Sequence, residues 1–180
     1  MGTYRSKLEC FGRKMSTKPT DLTCNDMCGK EGVFVMSFVG KHSRQLDDRG
    51  RFVLPAKLRD KIEGVVYITK APFENCLNLY TEQEWENIAE VMRQLPITTD
   101  EFAAQFHRDF FASADSFEVD KQGRIPLTED LLNCAGLKKD IVLIGVNTKI
   151  EIWSAESFGA RSVNSAENIR EGMRKFNLNF

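Results

Sequence analysis

Residues 47–55 read DDRGRFVLP, and residues 120–128 read DKQGRIPLT. In both stretches an Asp is followed four positions later by an Arg, and a Gly stands directly before that Arg. Asp accepts backbone hydrogen bonds within tight turns, and Gly permits a positive φ. After the first Arg, Phe52 and Leu54 fall on one face of an alternating pattern, which is typical of a half-buried strand. Each stretch therefore predicts a hairpin turn that leads into a short strand.

The repeat extends beyond the turn. Leu54 and Leu58 recur as Leu127 and Leu131, at the same 73-residue offset that separates the two turns. After a three-residue difference in the middle, the offset returns, and LNLYTEQEW at 77–85 matches the region that starts at Ile150. The strands in each copy are short, so two copies are needed to bury one core. The chain is predicted to be an α+β protein built from two β-turn-β-α-β-β units, with further helices between and after them.

The boundaries follow from changes in composition and periodicity. Residues before the repeat mix Ser, Thr, Lys, Asn and Gly with few periodic apolar positions, which favours disorder. The predicted organisation is a disordered N-terminal extension over 1–35, a first repeat over 41–83, linking helices over 84–113, a second repeat over 114–157, and a C-terminal helix and tail over 158–180.

The linking segment carries helix signals of its own. Thr98 followed by Glu101 has the spacing of a capping box at the start of a helix. Phe102, Phe106 and Phe110 then form one stripe on that helix. The stripe is predicted to pack in the core or against another subunit, in preference to any role with a cofactor.

The sequence contains little that points to catalysis or metal binding. It lacks the short motifs of phosphate loops, serine nucleophiles and zinc-dependent proteases, so no enzyme activity, catalytic residue or cofactor is expected. Cys24 and Cys28 form an isolated pair, whereas a zinc site needs four ligands, and His42 and His107 lie elsewhere. No apolar run is long enough to span a membrane, and the five scattered cysteines fit a reducing cytoplasm.

The remaining candidate site is the pair of turns. The net charge of the chain is only −1, so any contact with nucleic acid must depend on local charge. Arginine on a rigid hairpin can contact phosphates or the edge of guanine. Equally, Asp and Arg can simply hold the turn together, and the two interpretations are compatible. The candidate DNA-binding residues are Arg44, Arg49, Arg51, Lys121 and Arg124, and the residues expected to structure the turns are Asp47, Gly50, Asp120 and Gly123.

Four stretches together resemble the MraZ family of bacterial transcription regulators, which consist of two tandem SpoVT/AbrB-type units. They are SFVGKHSRQLDDRGRFVLPAKLR, LNLYTEQEW, VDKQGRIPL and GVNTKIEIWSAESF. The resemblance implies a duplicated swapped-hairpin β-barrel and a ring-shaped homo-oligomer. It also implies binding to direct repeats in double-stranded DNA, at the promoter of the protein's own division and cell-wall gene cluster, and a cytoplasmic, nucleoid-associated location.

The two copies differ in ways that bear on this implication. Where the first copy has Pro55 and Arg59, the second has Thr128 and Leu132, so the second copy is predicted to read DNA more weakly. Thr128 is expected to cap the helix that follows it. Two other functions stay open: an AbrB-like antitoxin that also neutralises a toxin, and a structural ring or adaptor that does not bind DNA.

Overall fold

The computed structural model of the chain describes residues 37–62, 64–161 and 165–178. The extension predicted for 1–35, with Cys24 and Cys28, lies outside the described residues. Within the described ranges the chain forms eight strands and six helices. The strands are β1 (Phe38–Gln45), β2 (Arg51–Val53), β3 (Val65–Lys70), β4 (Leu77–Thr81), β5 (Asp115–Glu118), β6 (Arg124–Pro126), β7 (Asp140–Asn147) and β8 (Lys149–Ser154). The helices are α1 (Ala56–Arg59), α2 (Glu82–Arg93), α3 (Glu101–Ala112), α4 (Glu129–Cys134), α5 (Ala155–Arg161) and α6 (Ser165–Lys175).

The two sequence copies are interleaved in one antiparallel sheet. Its strand order is β1-β7-β8-β4-β3-β5, so the outer strand on each side pairs with a strand of the other copy. A second sheet consists of β2 and β6 alone, again one strand from each copy, with Phe52 directly opposite Ile125. These two residues occupy the same position in the repeat, so a pseudo-twofold axis passes between them. The α+β prediction is confirmed, and the copies form one body.

The core lies where the copies meet. Phe52, Leu54, Ile125 and Leu127 are all buried, which confirms the predicted inward face of the strand after each turn. Leu58 of α1 and Leu131 of α4 are buried in the same cluster, together with the inner face of the six-stranded sheet. A strand of three residues, such as β2, has too little apolar surface to be stable alone, and the other copy supplies the missing partner.

Helices α2 and α3 form an antiparallel hairpin against the sheet. The ring of Trp85 stacks on Tyr67 of β3 with centroids 4.9 Å apart, and on Phe110 of α3 at 5.7 Å. The predicted aromatic stripe divides here, because Phe110 is half-buried whereas Phe102 is 81% exposed. A place in the core is therefore wrong for Phe102, and its role in an interface stays a prediction.

Two predicted helix caps are wrong. Asp100, not Thr98, caps α3, since its carboxylate accepts the N–H of Ala103 at 2.9 Å. Thr128 stands at the start of α4, but its hydroxyl donates to the carboxylate of Asp115 at 2.8 Å instead of capping the helix. In both cases several side chains near the helix start could accept, and tertiary placement selects among them. None of the helices in the described ranges combines the length and the apolar character needed to cross a membrane.

Candidate nucleic-acid interface

The first turn joins β1 to β2 and is closed by the carboxylate of Asp47. One oxygen, Oδ1, accepts the backbone N–H groups of Arg49 and Arg51, each at 2.9 Å. The other, Oδ2, lies 2.7 Å from both Nε and Nη2 of Arg51. Gly50 has φ +68°, and its N–H donates to the carbonyl of Asp47 at 3.0 Å. The predicted turn-structuring roles of Asp47 and Gly50 therefore have a direct geometric basis.

The second turn, between β5 and β6, repeats this arrangement. The Oδ1 atom of Asp120 accepts the N–H groups of Gln122 at 2.9 Å and Arg124 at 2.8 Å. The Nε of Arg124 donates to Oδ2 of Asp120 at 2.6 Å. Gly123 has φ +74°, and its N–H donates to the carbonyl of Asp120 at 2.8 Å. We call each set of contacts, one Asp to the turn backbone and to its Arg, the staple.

The staple also sets the charge of each Asp. The side-chain hydrogen bond from Arg51, with the backbone N–H of the same residue, lowers the pKa of Asp47 to about 2. The backbone N–H and the guanidinium of Arg124 likewise lower the pKa of Asp120. Both carboxylates are therefore ionised at neutral pH, and each neutralises part of the charge of its arginine. Any excess of positive charge at the turns must come from other residues.

Strands β2 and β6 bring both arginines onto one ribbon. In the ladder Arg51 lies opposite Pro126, and Val53 lies opposite Arg124. Since Phe52 and Ile125 point into the core, the alternation of a strand places Arg51 and Arg124 on the outer face. Arg44 of β1 reaches the same ribbon, where its Nε donates to the carbonyl of Val53 at 3.2 Å.

Two predicted cations occupy the tips of the turns. Arg49 follows Asp47 by two residues, Lys121 follows Asp120 by one, and both are exposed. In the part of the chain that the structure describes, neither side chain has a hydrogen bond or ion pair to another residue. The five predicted DNA-binding residues thus divide into two exposed tips, two stapled arginines and Arg44, all at one end of the molecule's two-stranded ribbon.

Each turn is covered by the helix of the other copy. A Cβ atom placed on Gly123 would lie 2.8 Å from Cδ of Arg59, and one placed on Gly50 would lie 3.1 Å from Cδ1 of Leu132. The backbone crosses over in the same way, because the N–H of Leu54 donates to the carbonyl of Gly123 at 2.8 Å. Arg59 therefore adds its charge to the second turn. The sequence comparison had credited it to the first copy, which was wrong, since only the strand exchange reveals the placement.

Two lysines missed by the sequence analysis lie beside the first turn. A shallow cleft there is lined by the acidic side of the turn together with Lys138 and Lys139, from the loop between α4 and β7. The N–H of Leu46 donates to the carbonyl of Lys139 at 2.8 Å. At the second turn the corresponding backbone bond runs from Val119 to Gly64, at 3.2 Å, so no lysine occupies that position. No local motif marks these lysines, because they lie about 90 residues along the chain from the turn that they flank.

The described residues offer nothing that resembles a metal site. Among them, no cluster of three or more His, Cys, Asp or Glu side chains is arranged to hold an ion. The acidic groups at the turns are instead engaged with arginine and with backbone N–H groups. The chemistry that this surface can perform is therefore the recognition of anionic or hydrogen-bonding partners.

Comparison with known proteins agrees with this geometry. The family described as "MraZ protein, putative antitoxin-like" matches residues 37–108 and 110–176. A relative from Lachnoclostridium phytofermentans, named "Transcriptional regulator MraZ", is 38% identical over 143 residues, covering 79% of this chain and 99% of the relative. Relatives of the same name from Acetivibrio thermocellus and Salinispora tropica are 40% and 42% identical, each covering 76% of this chain and 96% of the relative. With both turns inside the matched residues, the chain belongs to the MraZ family.

Proposed function

We propose that this protein is a sequence-specific DNA-binding transcription regulator that acts on the promoter of its own division and cell-wall gene cluster. The name of its relatives, "Transcriptional regulator MraZ", supports regulation of transcription. One structural observation carries the DNA-binding part: two equally stapled turns stand side by side on one ribbon, with exposed cations at their tips.

The ribbon has the dimensions for a groove of DNA. The major groove is about 12 Å wide and admits a two-stranded β-ribbon. Arg49 and Lys121 at the tips are suited to phosphates, while Arg51 and Arg124 are held in fixed orientations on the outer face. A guanidinium has five N–H donors, and the bonds from Nε and Nη2 of Arg51 to Asp47 use only part of them. The remaining donors can contact a base edge.

The staple and DNA recognition support each other in this proposal. A long arginine side chain loses rotamer freedom when it binds, and this loss opposes affinity. Asp47 and Asp120 hold the two arginines in place before DNA arrives, which reduces that cost. Arg44 has a comparable restraint through the carbonyl of Val53. The turns thus present pre-oriented arginines, flanked by mobile cations at the tips.

Several copies of this surface are needed for tight binding. The net charge of the whole chain is −1, so a single ribbon would attract DNA weakly. We propose a ring-shaped homo-oligomer whose ribbons engage direct repeats together, since linked sites bind through a high effective concentration. The exchange of strands between the copies supports a duplicated swapped-hairpin barrel, with repeats at 41–83 and 114–157. A cytoplasmic, nucleoid-associated location follows from this function.

The description of the family favours a second candidate. Because its matching family is called antitoxin-like, the chain could act as an antitoxin that binds both DNA and a toxin. Co-purification of a small toxin with the full chain, and neutralisation of its toxicity, would support this role. It would add to DNA binding and would not replace it.

The test of the proposed function is DNA binding as a function of salt. Fluorescence anisotropy would compare a duplex from upstream of the protein's own gene with a scrambled duplex, over a range of salt concentrations. Wild type is expected to prefer the native duplex. Arg49→Ala and Lys121→Ala are each expected to weaken binding and to reduce the slope of log K against log salt by about 0.9.

Lys70→Ala is the matched control for these two variants. Lys70 is exposed at the end of β3, whereas Gly64, just before the start of β3, is hydrogen-bonded to Val119 beside the second turn. Removing its charge at this distance from the ribbon should leave both affinity and salt slope unchanged. Equal binding of wild type to native and scrambled duplexes at every salt concentration would overturn sequence-specific recognition.

A further inference from the structure

Two apolar surfaces of the described chain lie far from the ribbon and stay exposed. One is on α3, where Phe102 is 81% and Phe106 43% exposed. The other is on α6, where Ile169 is 63% and Phe176 66% exposed. Large aromatic and aliphatic side chains grouped on one helix face are costly to leave in water, and such patches mark interaction sites.

Helix α6 has the pattern of a helix that packs against a partner. At 100° per residue, Ile169, Met173 and Phe176 form one stripe. Arg170 and Lys175 flank that stripe on its two sides, whereas Glu167 and Glu171 fall on the opposite face. The apolar stripe is therefore bordered by positive charge.

The stability of α6 also requires a partner. Residues 166–170 are all exposed, so this part of the helix packs on nothing within its own chain. Isolated helices shorter than about 12–15 residues are marginal in water, and α6 has 11 residues. Its C-terminal end is nevertheless well formed, because Asn177 has φ +52° and the N–H of Leu178 donates to the carbonyl of Met173 at 2.9 Å. A partner on the apolar face would supply the stabilisation that local structure lacks.

The exposed face of α3 is complementary to α6 in charge. Phe102 and Phe106 have Asp109 beside them on the helix surface, and Gln105 donates to that carboxylate at 2.7 Å. Glu101 begins the helix, and neighbouring α2 carries four glutamates against one arginine. An apolar stripe with an acidic border on α3 thus faces the solvent in the same chain as an apolar stripe with a basic border on α6.

We infer that α6 of one copy of this chain packs along the Phe102–Phe106 stripe of α3 in a second copy. The contact joins two different surfaces, so it is head-to-tail and each copy has one donor helix and one acceptor stripe. Repetition of such a contact closes into a ring when the rotation between neighbours permits it. The inference rests on the self-assembly in the proposed function and specifies the surfaces that produce it.

The experiment is complementation between two variants of the full chain. Phe102→Glu removes the acceptor stripe, and Ile169→Glu removes the donor helix. By light scattering, each variant alone is expected to fall from the wild-type mass to that of a single chain, 20.5 kDa. Mixed in equal amounts, they should form a dimer, because one intact donor and one intact acceptor remain. Circular dichroism would confirm that both exposed substitutions leave the fold intact.

Phe73→Glu is the matched control, since Phe73 is 92% exposed in the loop between β3 and β4 and belongs to neither stripe. It should keep the wild-type mass. A monomeric wild type, a mixture that stays monomeric, or an Ile169→Glu variant of unchanged mass would each overturn the inference. The last of these results would arise if α6 bound a membrane or if α3 paired with itself. DNA binding of the single-chain variants, measured separately, keeps failure of this contact distinct from failure of the ribbon.

Discussion

The first turn and the second turn have the same internal geometry but different surroundings. In both, an Asp accepts two backbone N–H groups and holds the following Arg, and a Gly has a positive φ. Around the first turn lie Arg44, Lys138 and Lys139, whereas Arg59 covers the second. The comparison shows that duplication preserved the staple, while the charge beside each staple depends on what the other copy places there.

Arg51→Ala is expected to have the largest effect on DNA binding. It removes the arginine on the more basic turn, and loss of a bidentate base contact costs about 1–3 kcal/mol per site. In an assembly that binds several sites together, the losses accumulate. Arg124→Ala should weaken binding less. Titration with DNA and thermal melting of the same samples would measure both. A larger loss for Arg124→Ala would reverse the ranking of the turns, and early melting of Arg51→Ala with normal binding once folded would leave the staple purely structural.

Asp47→Ala should act mainly on stability. Without the carboxylate, the N–H groups of Arg49 and Arg51 lose their acceptor and the guanidinium loses its partner. We expect a lower Tm, with weaker DNA binding as a consequence. Asp47→Asn is the matched control, because an amide oxygen can still accept the two backbone N–H groups, so its Tm should fall between the other two. Equal Tm values for all three proteins would mean that the staple does not stabilise the fold.

Acid should loosen both turns. The pKa of Asp47 is about 2 in the folded protein and 3.8 for an unperturbed group, and the pKa of Asp120 is also lowered. A depressed carboxylate pKa contributes stability that is fully present above the unfolded pKa and is lost as pH falls through the folded pKa. The Tm should therefore fall between about pH 4 and about pH 2. A double variant, Asp47→Asn with Asp120→Asn, should show a shallower fall; a fall as steep as that of wild type would assign the acid sensitivity to other carboxylates.

Arg59→Leu tests whether the exchange of helices matters to the interface. The side chain lies over Gly123, so its loss should weaken binding modestly and reduce the salt slope by about 0.9 if it contacts a phosphate. Lys57→Leu, an exposed position on the same short helix, serves as the control and should change the slope less. Combining Arg59→Leu with Arg124→Ala would show whether the two act on the same turn, since residues that share a contact have non-additive effects. Strict additivity would separate Arg59 from the second turn.

Lys139→Ala should have the smallest effect. The lysine lies beside the first turn and is exposed, so it can contribute a phosphate contact but cannot read sequence. Binding should weaken equally for native and scrambled duplexes. Lys138→Ala should weaken it less, because Lys138 already pairs with Glu156 at 3.1 Å. A change in preference between the two duplexes would show that these lysines contribute to specificity.

Much of the local structure could be predicted from the residues themselves. The turns, the buried positions Phe52 and Leu54, and the roles of Asp47 and Gly50 follow from short-range chemistry that a nine-residue stretch contains. The helix caps at Thr98 and Thr128 were predicted wrongly, because several polar side chains near each helix start can accept and packing selects one. The core position of Phe102 was also wrong, since periodicity identifies a stripe without identifying what covers it.

The sequence by itself determined the duplication, the staple and the inward face of each strand, because these depend on contacts between residues a few positions apart. The tertiary structure alone decided which cations surround each turn. Arg59 lies on the second turn and Lys139 beside the first because outer strands pair across the copies and carry their neighbouring helices and loops with them. Such placement depends on pairing between residues far apart in the chain, which local propensity and spacing do not encode.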